Sequence, residues 1–518
     1  MALLGTYSTV PGLLVVSTVA LIIWYLVSAV YSGYRLRYFR GPFLASFSYL
    51  WLARMTLSGK QYENALAVGE KYGSLARIGP NDLFTSDPEL IRRMSNAKIN
   101  YRKSSWYDGN RFNPYNPIMF TIQDPLVHDK VKMKVAAGYS GRDIPAFESD
   151  IDTQVINLVN LIRKKYLMLP GESELRLLDL SRVMPFLTLD VISKVSLRKE
   201  FGCIETDSDR IGFYESFEHF LPTLSLSTNI PLVRGILYST LSLKLFGPKE
   251  TDATGMGKIM ATATPAVRRA FSPEAKDEKS ILGSFVRNGL PQSMCESEAV
   301  FMFIAGADTT AAALRITLMY LLTTPLVYQR LKEEIAAAIR DGRASHPITN
   351  AEAGNLPYLK AVKYEGLRMR PVTMSLLAKE VPPEGDTFNG RFIPGGTSIA
   401  MNLASLLRSK ALFGEDADIF RPERFLELDD EAQAEIQRNV ELAFGYGRWM
   451  CAGKTIAMTE LNKVYFELFR EFDFQIAYPQ APMTSTSTTQ FIDRGLLVKV
   501  TKAATATYAV DKLDSPGA

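Results

Sequence analysis

Cysteine and histidine are scarce in this chain, with three of each in 518 residues. Cys203, Cys295 and Cys451 are odd in number and widely separated, which excludes a disulfide framework as the basis of the fold. His128, His219 and His346 are equally scattered, and no close Cys/His cluster offers a zinc site. Neither sign of charge prevails: the formal net charge is +4 and basic residues form only short clusters, so nucleic acid is not an expected partner. Long Gly/Ser/Pro linkers and internal repeats are missing as well. A length prior of about 150 residues per domain would suggest roughly three domains, but without linkers one large domain is expected. With 47% hydrophobic and 22% charged residues, the chain can bury a large core.

What is present begins with residues 13–30, an almost unbroken apolar run of about the minimum length that spans the hydrocarbon core of a bilayer. It predicts one transmembrane helix. Arg35, Arg37 and Arg40 follow it and no Lys or Arg precedes it, so the positive-inside rule puts Met1 in the lumen and the body in the cytosol. A cleaved secretory signal is the alternative, and its positive charge would precede the apolar run. Arg40-Gly41-Pro42 is expected to break the helix. Residues 74–80 and 83–86 read as two short strands around a turn, and Asp87-Pro88 as a cap and first turn of a helix. Residues 104–124, rich in aromatics, Asn and Pro without periodicity, read as a long loop, either functional or tied down as core. Helical spacing dominates residues 151–242, and the apolar residues 221–246 suit a membrane contact or buried core. Residues 482–490 read as a turn-rich hairpin.

Chemistry concentrates in a few places. Phe444 to Gly453 sets Cys451 in a glycine-rich loop ahead of an apolar, helix-forming run over residues 454–466. The positive end of a helix favours the thiolate, a soft ligand for iron. Gly445, Gly447 and Gly453 let the backbone approach a flat macrocycle and aim amide N–H groups at the sulfur. A buried free cysteine beside a turn is the plainer alternative. Within the apolar helix over residues 301–310, Gly306, Asp308 and Thr309 are poor interior choices: Gly is about 1 kcal/mol worse than Ala, and Thr competes for the carbonyl four residues back. Either function compensates, or Thr309 satisfies a kink. His128 and Lys132, four apart, share a helix face, as donors to one ligand or as a solvated basic face. Glu365 and Arg368 are helix neighbours three apart, worth only a few tenths of a kcal/mol at a surface.

Phe444, Gly445, Gly447, Cys451 and Gly453 together resemble the haem-binding loop of the cytochrome P450 monooxygenases, and the other stretches fall in that family's order along nearly the whole chain. The resemblance implies a mostly α fold with small β regions (α+β), preceded by one transmembrane helix. It implies haem b, iron protoporphyrin IX, with Cys451 as the proximal iron ligand. There is one departure: the family usually carries arginine two residues before the cysteine, where it meets a haem propionate. Trp449 stands there, with Arg448 one further back. This order resembles fungal secondary-metabolism members related to pisatin demethylase. By the same resemblance His128, Lys132 and Lys379 serve the propionates, Ala305 and Gly306 border the dioxygen groove, and Asp308 and Thr309 relay protons. Glu365, Arg368 and Arg424 would form a structural charge network, residues 372–377 would line the pocket, residues 104–124 would close over substrate and residues 221–246 would roof it.

The implied protein is a single-pass enzyme of the endoplasmic reticulum membrane with a cytosolic catalytic domain. It comprises an anchor and hinge (1–40), a haem-thiolate domain (41–502) and a flexible tail (503–518). It would insert one oxygen atom of O2 into a hydrophobic small molecule, such as a fungal terpenoid or polyketide. Its electrons would come from NADPH-cytochrome P450 reductase, with cytochrome b5 as a further partner. A haem-thiolate isomerase or dehydratase needing no reductase is the alternative within the fold, and the Asp308-Thr309 pair speaks against it. A haem sensor or membrane scaffold is the non-enzymatic alternative.

Overall fold

The computed structural model of the protein describes residues 4–503 apart from 173, 276 and 277. Residues 504–518, which hold nearly all of the expected flexible tail, lie outside the described residues. The architecture is mostly α with small sheets, as expected. The helices that build the site are α1 (Leu4–Arg35), α2 (Pro125–Tyr139), α3 (Leu180–Leu197), α4 (Phe213–Asn229), α5 (Pro231–Leu237), α6 (Thr240–Phe246), α7 (Gln292–Thr323), α8 (Pro357–Met369) and α9 (Lys454–Glu471).

Burial separates two helices that are both long and apolar enough to cross a membrane. Only 6% of the apolar stretch of α1 is buried inside the protein, against 78% for α7. The first is a candidate span and the second the central core helix. The expected break at Arg40-Gly41-Pro42 comes earlier, because α1 stops at Arg35. There the Arg35 guanidinium bonds the Asn81 side chain and the Gly395 carbonyl. Arg77, itself buried, donates to the carbonyls of Ser32 at 2.8 Å and Gly33 at 3.4 Å, so the helix end finds its partners in the body.

The expected strand pair exists as β1 (Leu75–Gly79) and β2 (Asp82–Thr85), and Asp87 caps the following helix Pro88–Arg93 through the amides of Glu89 and Leu90. With β3 (Arg102–Lys103), β4 (Lys379–Glu380) and β5 (Ser398–Met401) they form a sheet of order β1-β2-β5-β4-β3. The register of the antiparallel β3–β4 pair sets Lys103 directly opposite Lys379. Residues 104–124 are irregular apart from one tight helical turn, Ser105–Asn110, and bury Trp106, Tyr107 and Phe112. The stretch over 151–242 is mostly helical, as expected, interrupted by loops and by strand Leu177–Asp179, which joins Leu497–Lys502 and Phe472–Ile476 in a second sheet. The hairpin expected within 482–490 runs further, pairing β6 (Thr484–Ser487) with β7 (Phe491–Arg494).

The core is a continuous apolar mass around α7, against which α3 lies closely. That approach accounts for the glycine in the middle of α7. A Cβ on Gly306 would meet Ile192 of α3 at 2.9 Å, and Thr188 of α3 donates to the Ala307 carbonyl at 2.6 Å. The structure thus spends the bare face of Gly306 on helix packing, a use that the expectation of a dioxygen groove had not included.

Candidate active site

The loop before α9 is held in one shape by its glycines. Gly445 (φ +77°) and Gly447 (φ +53°) lie in the left-handed region, and a Cβ on either would sit 2.8 Å from a backbone oxygen, of Trp449 and Ser95 respectively. The Cys451 amide donates to the Phe444 carbonyl at 2.7 Å, closing the loop. Lys132 of α2 fastens it from outside, donating to the Arg448 carbonyl at 2.7 Å and that of Met450 at 3.4 Å. Gly453 stands at the N-cap of α9.

Cys451 is exposed, whereas Cys203 and Cys295 are buried and pushed up to about 12 by that burial. The Cys451 side chain borders open space, yet enough protein surrounds it that burial raises its pKa. The amides of Gly453 and Lys454 and the charge of Lys132 act in the opposite direction. The sulfur is thus exposed, and two helix-start amides favour its anionic form.

Trp449 sits at the meeting point of the cations. Its ring lies 4.5 Å from the His128 ring, 4.8 Å from the Lys103 ammonium and 5.8 Å from that of Lys379. Both lysines are buried, and neither enters an ion pair among the described residues. Lys103 donates to the carbonyls of Met119 and Phe120, Lys379 to the Tyr107 hydroxyl and the Leu377 carbonyl. Burial pushes Lys379 down to about 7, and burial followed by the charge of Lys379 pushes Lys103 well down. Burial, then the Lys103 charge, pushes His128 down to about 4, so its ring is neutral near pH 7. Arg448 pairs with Asp129 at 3.0 Å. Lys103 escaped the sequence reading, since nothing along the chain shows that it lies across a sheet from Lys379.

On α7, Asp308 is buried with Oδ1 3.6 Å from Arg315 and Oδ2 without a hydrogen-bond partner. Burial pushes its pKa up to about 6, against the pull of Arg315. The Thr309 hydroxyl donates to the Ala305 carbonyl of its own helix at 2.8 Å. The structure therefore joins Thr309 to Ala305 rather than to Asp308.

Glu365, Arg368 and Arg424 meet in one buried charge network. Glu365 and Arg368 are fully buried in a two-pronged pair, with Nε–Oε2 of 2.7 Å and a second contact of 2.8 Å. Arg424 reaches Glu365 at 3.1 Å and Asp416 at 2.9 Å. Arg368 also satisfies the Leu407 and Ala417 carbonyls, tying α8 to the segment that leads into the cysteine loop.

Residues 372–377 are a mix of half-buried and buried positions, and Thr373 donates to the Thr489 carbonyl at the tip of the β6–β7 hairpin. Phe120 stacks on Phe301 of α7. On the far side α5 and α6 expose Leu232, Ile236, Leu241, Leu245 and Phe246, an apolar surface consistent with a membrane contact.

Comparison with known sequences gives a coherent result. A family model described as Cytochrome P450 matches residues 40–501. The chain is 48% identical over 466 residues to cytochrome P450 monooxygenase aba1 of Botryotinia fuckeliana, covering 90% of this chain and 92% of that protein. It is 43% identical over 497 residues to cytochrome P450 monooxygenase ABA1 of Pyricularia oryzae, covering 95% and 96%. It is also 30% identical over 469 residues to pisatin demethylase of Fusarium vanettenii, covering 88% and 86%.

Proposed function

Because this chain belongs to the cytochrome P450 family, a family of haem-thiolate monooxygenases, we propose that it inserts one oxygen atom of O2 into a hydrophobic fungal secondary metabolite, such as a terpenoid or polyketide. Electrons come from NADPH through a membrane-bound reductase, with cytochrome b5 as a second donor. The enzyme is held in the endoplasmic reticulum membrane by residues 1–40, with residues 41–502 as the cytosolic catalytic domain.

The observation that carries the proposal is the donor set. Haem b held in the manner of this family needs a thiolate for its iron and partners for its two carboxylates. Cys451 offers sulfur beneath the amides of Gly453 and Lys454. Lys103 and Lys379 are buried amino groups in cross-strand register with no carboxylate within ion-pair distance among the described residues, and holding both charged there is unfavourable unless an anion joins them. The residues present fit the group: Cys451 would hold the iron, and Lys103, Lys379 and His128 the carboxylate end. Lys132 and Arg448 act on the loop, through the Arg448 carbonyl and Asp129. When bound, the haem supplies an iron centre that activates dioxygen, and thiolate ligation favours O–O cleavage.

The chain's own residues then have distinct tasks. Asp308, with one oxygen free and a pKa near 6, holds a proton within α7, and Thr309 passes it on after turning from the Ala305 carbonyl. Phe120, Phe301 and residues 372–377 exclude water and orient an apolar substrate. The bond from Thr309 to its own helix is the one feature that favours the isomerase or dehydratase reading, which needs no proton delivery. Turnover with and without reductase and NADPH, using candidate substrates and product analysis, decides between them. Product formed without either would overturn the monooxygenase proposal.

A further inference from the structure

Met119 is held from both sides of its peptide. Its amide donates to Oε1 of Glu298 on α7, and its carbonyl accepts from the Lys103 ammonium at 3.0 Å. The same ammonium reaches the Phe120 carbonyl at 2.8 Å. Glu298 is fully buried, and its other oxygen takes only a long 3.4 Å bond from the Tyr139 hydroxyl. No Lys or Arg lies within ion-pair distance of it among the described residues; burial raises its pKa, and the bonds from Met119 and Tyr139 and the more distant charge of Lys103 only partly offset that cost. The next residue, Phe120, lies flat on Phe301, with centroids 5.0 Å apart and rings inclined by 18°. Glu298, Phe301 and Ala305 follow one another at helical spacing along one face of α7. The carboxyl that holds the loop is thus one turn from the ring on which the loop rests, and that ring is one turn from the residue bordering the reaction site.

We propose that Glu298 and Lys103 form a clamp on the Met119 peptide, and that the clamp positions Phe120 against Phe301 as the wall that limits the size and shape of the substrate. Glu298 is a positioning residue: it acts through Met119 and Phe120. Lys103 links the same peptide to the cation cluster around Trp449, so the substrate wall and the carboxylate end of the haem site share one side chain. This assignment rests on reading residues 104–124 as the cover of the substrate site, whereas the clamp itself concerns only the peptide and is measurable without substrate.

The test uses the full-length haem-loaded enzyme as wild type, Glu298→Gln and Glu298→Ala. Gln keeps an oxygen that can accept from Met119, and Ala does not. Hydrogen exchange at the Met119 amide should be about tenfold faster or more in Glu298→Ala and close to wild type in Glu298→Gln, with the α9 amides unchanged in both. Titration with imidazole and with 4-phenylimidazole, read by the Soret shift, should show unchanged imidazole affinity. The affinity for the aryl compound should change about threefold to tenfold in Glu298→Ala, the range expected when an aromatic contact is lost. Unchanged Met119 exchange in Glu298→Ala overturns the clamp. Faster exchange with an unchanged ratio of the two affinities overturns the wall and with it the reading of the loop. Should Glu298→Ala fail to fold, the wild-type protein decides: Met119 exchanging as slowly as the buried amides of α7 supports the clamp, and exchange as fast as that of the half-exposed Asn116 contradicts it.

Discussion

Lys103 and Lys379 face each other across two antiparallel strands, both buried, with the ring of Trp449 beside both ammoniums. On the proposed haem reading, the pairing would replace the arginine usually found two residues before the cysteine: the positive charge would come from the sheet, and the indole offers a flat face that tolerates cations. Replacing Lys103 or Lys379 by Met should leave the protein folded and weaken haem retention. A charge-assisted hydrogen bond is worth about 1.5–3 kcal/mol, so transfer to a haem scavenger should be accelerated about tenfold or more for each. Unchanged transfer in both variants would place the haem carboxylates elsewhere.

Glu365 and Arg368 should behave as a structural unit. Both are completely buried, so removing one leaves the other charged and unpaired. Arg368→Leu is expected to lose about 3–5 kcal/mol, and Arg368→Lys much of that, because a single ammonium cannot reproduce the two-pronged contact with Glu365 together with the Leu407 and Ala417 bonds. The yield of folded holoprotein and its thermal midpoint are the readouts. A variant as stable as wild type would remove the network from the framework of the cysteine loop.

Proton delivery gives a pH signature. The Asp308 carboxyl is pushed up to about 6 by burial, so its proton-bearing form prevails below that pH and is lost above it. Product formed per NADPH should therefore fall as pH rises through about 6, and Asp308→Asn should flatten that dependence. The sign for stability is the same: a raised carboxyl pKa favours the folded state at low pH, and the advantage disappears as pH rises through the folded value. For Thr309→Ala, substrate should still bind and NADPH should still be consumed, with electrons diverted to hydrogen peroxide. General acid assistance contributes about a hundredfold or more, so coupling should drop clearly. Coupling equal to wild type would return Thr309 to the role of a hydroxyl satisfying its own helix.

Two surfaces are candidates for the proposed membrane attachment. Removing residues 1–30 deletes the unburied part of α1 and leaves Ser32, Gly33 and Arg35 bonded to Arg77, Asn81 and Gly395. This truncation should be released by high-salt washing, and it should be more stable than one that removes residues 1–40. If it stays wholly membrane-bound, the exposed apolar side chains of α5 and α6 are the stronger attachment.

Much of this was legible in the sequence, for physical reasons. The glycines near Cys451 are set by backbone conformations that other residues adopt only under strain, so the loop announces itself locally. Glu365 and Arg368 share a helix turn, and Arg424 stands in a recognisable segment. What could not be read depends on contacts between distant parts of the chain. Lys103 matters because it lies opposite Lys379, and Glu298 because a loop far from it in sequence brings its amide near. Gly306 reads as room for a ligand until Ile192 is found against it, and Arg35 ends α1 through partners in the body. The return strand of the terminal hairpin, Phe491–Arg494, lacks its own turn signal and carries Asp493, buried between Arg315 and Arg370.

The central claim is that Cys451 is the thiolate that holds the iron, and the visible spectrum of the reduced, carbon-monoxide-bound protein tests it most directly. Wild type should show the thiolate-type Soret band, and Cys451→Ala should lose it, while Cys203→Ala and Cys295→Ala keep it. An unchanged spectrum in Cys451→Ala, or loss of the band on replacing either buried cysteine, would contradict the account.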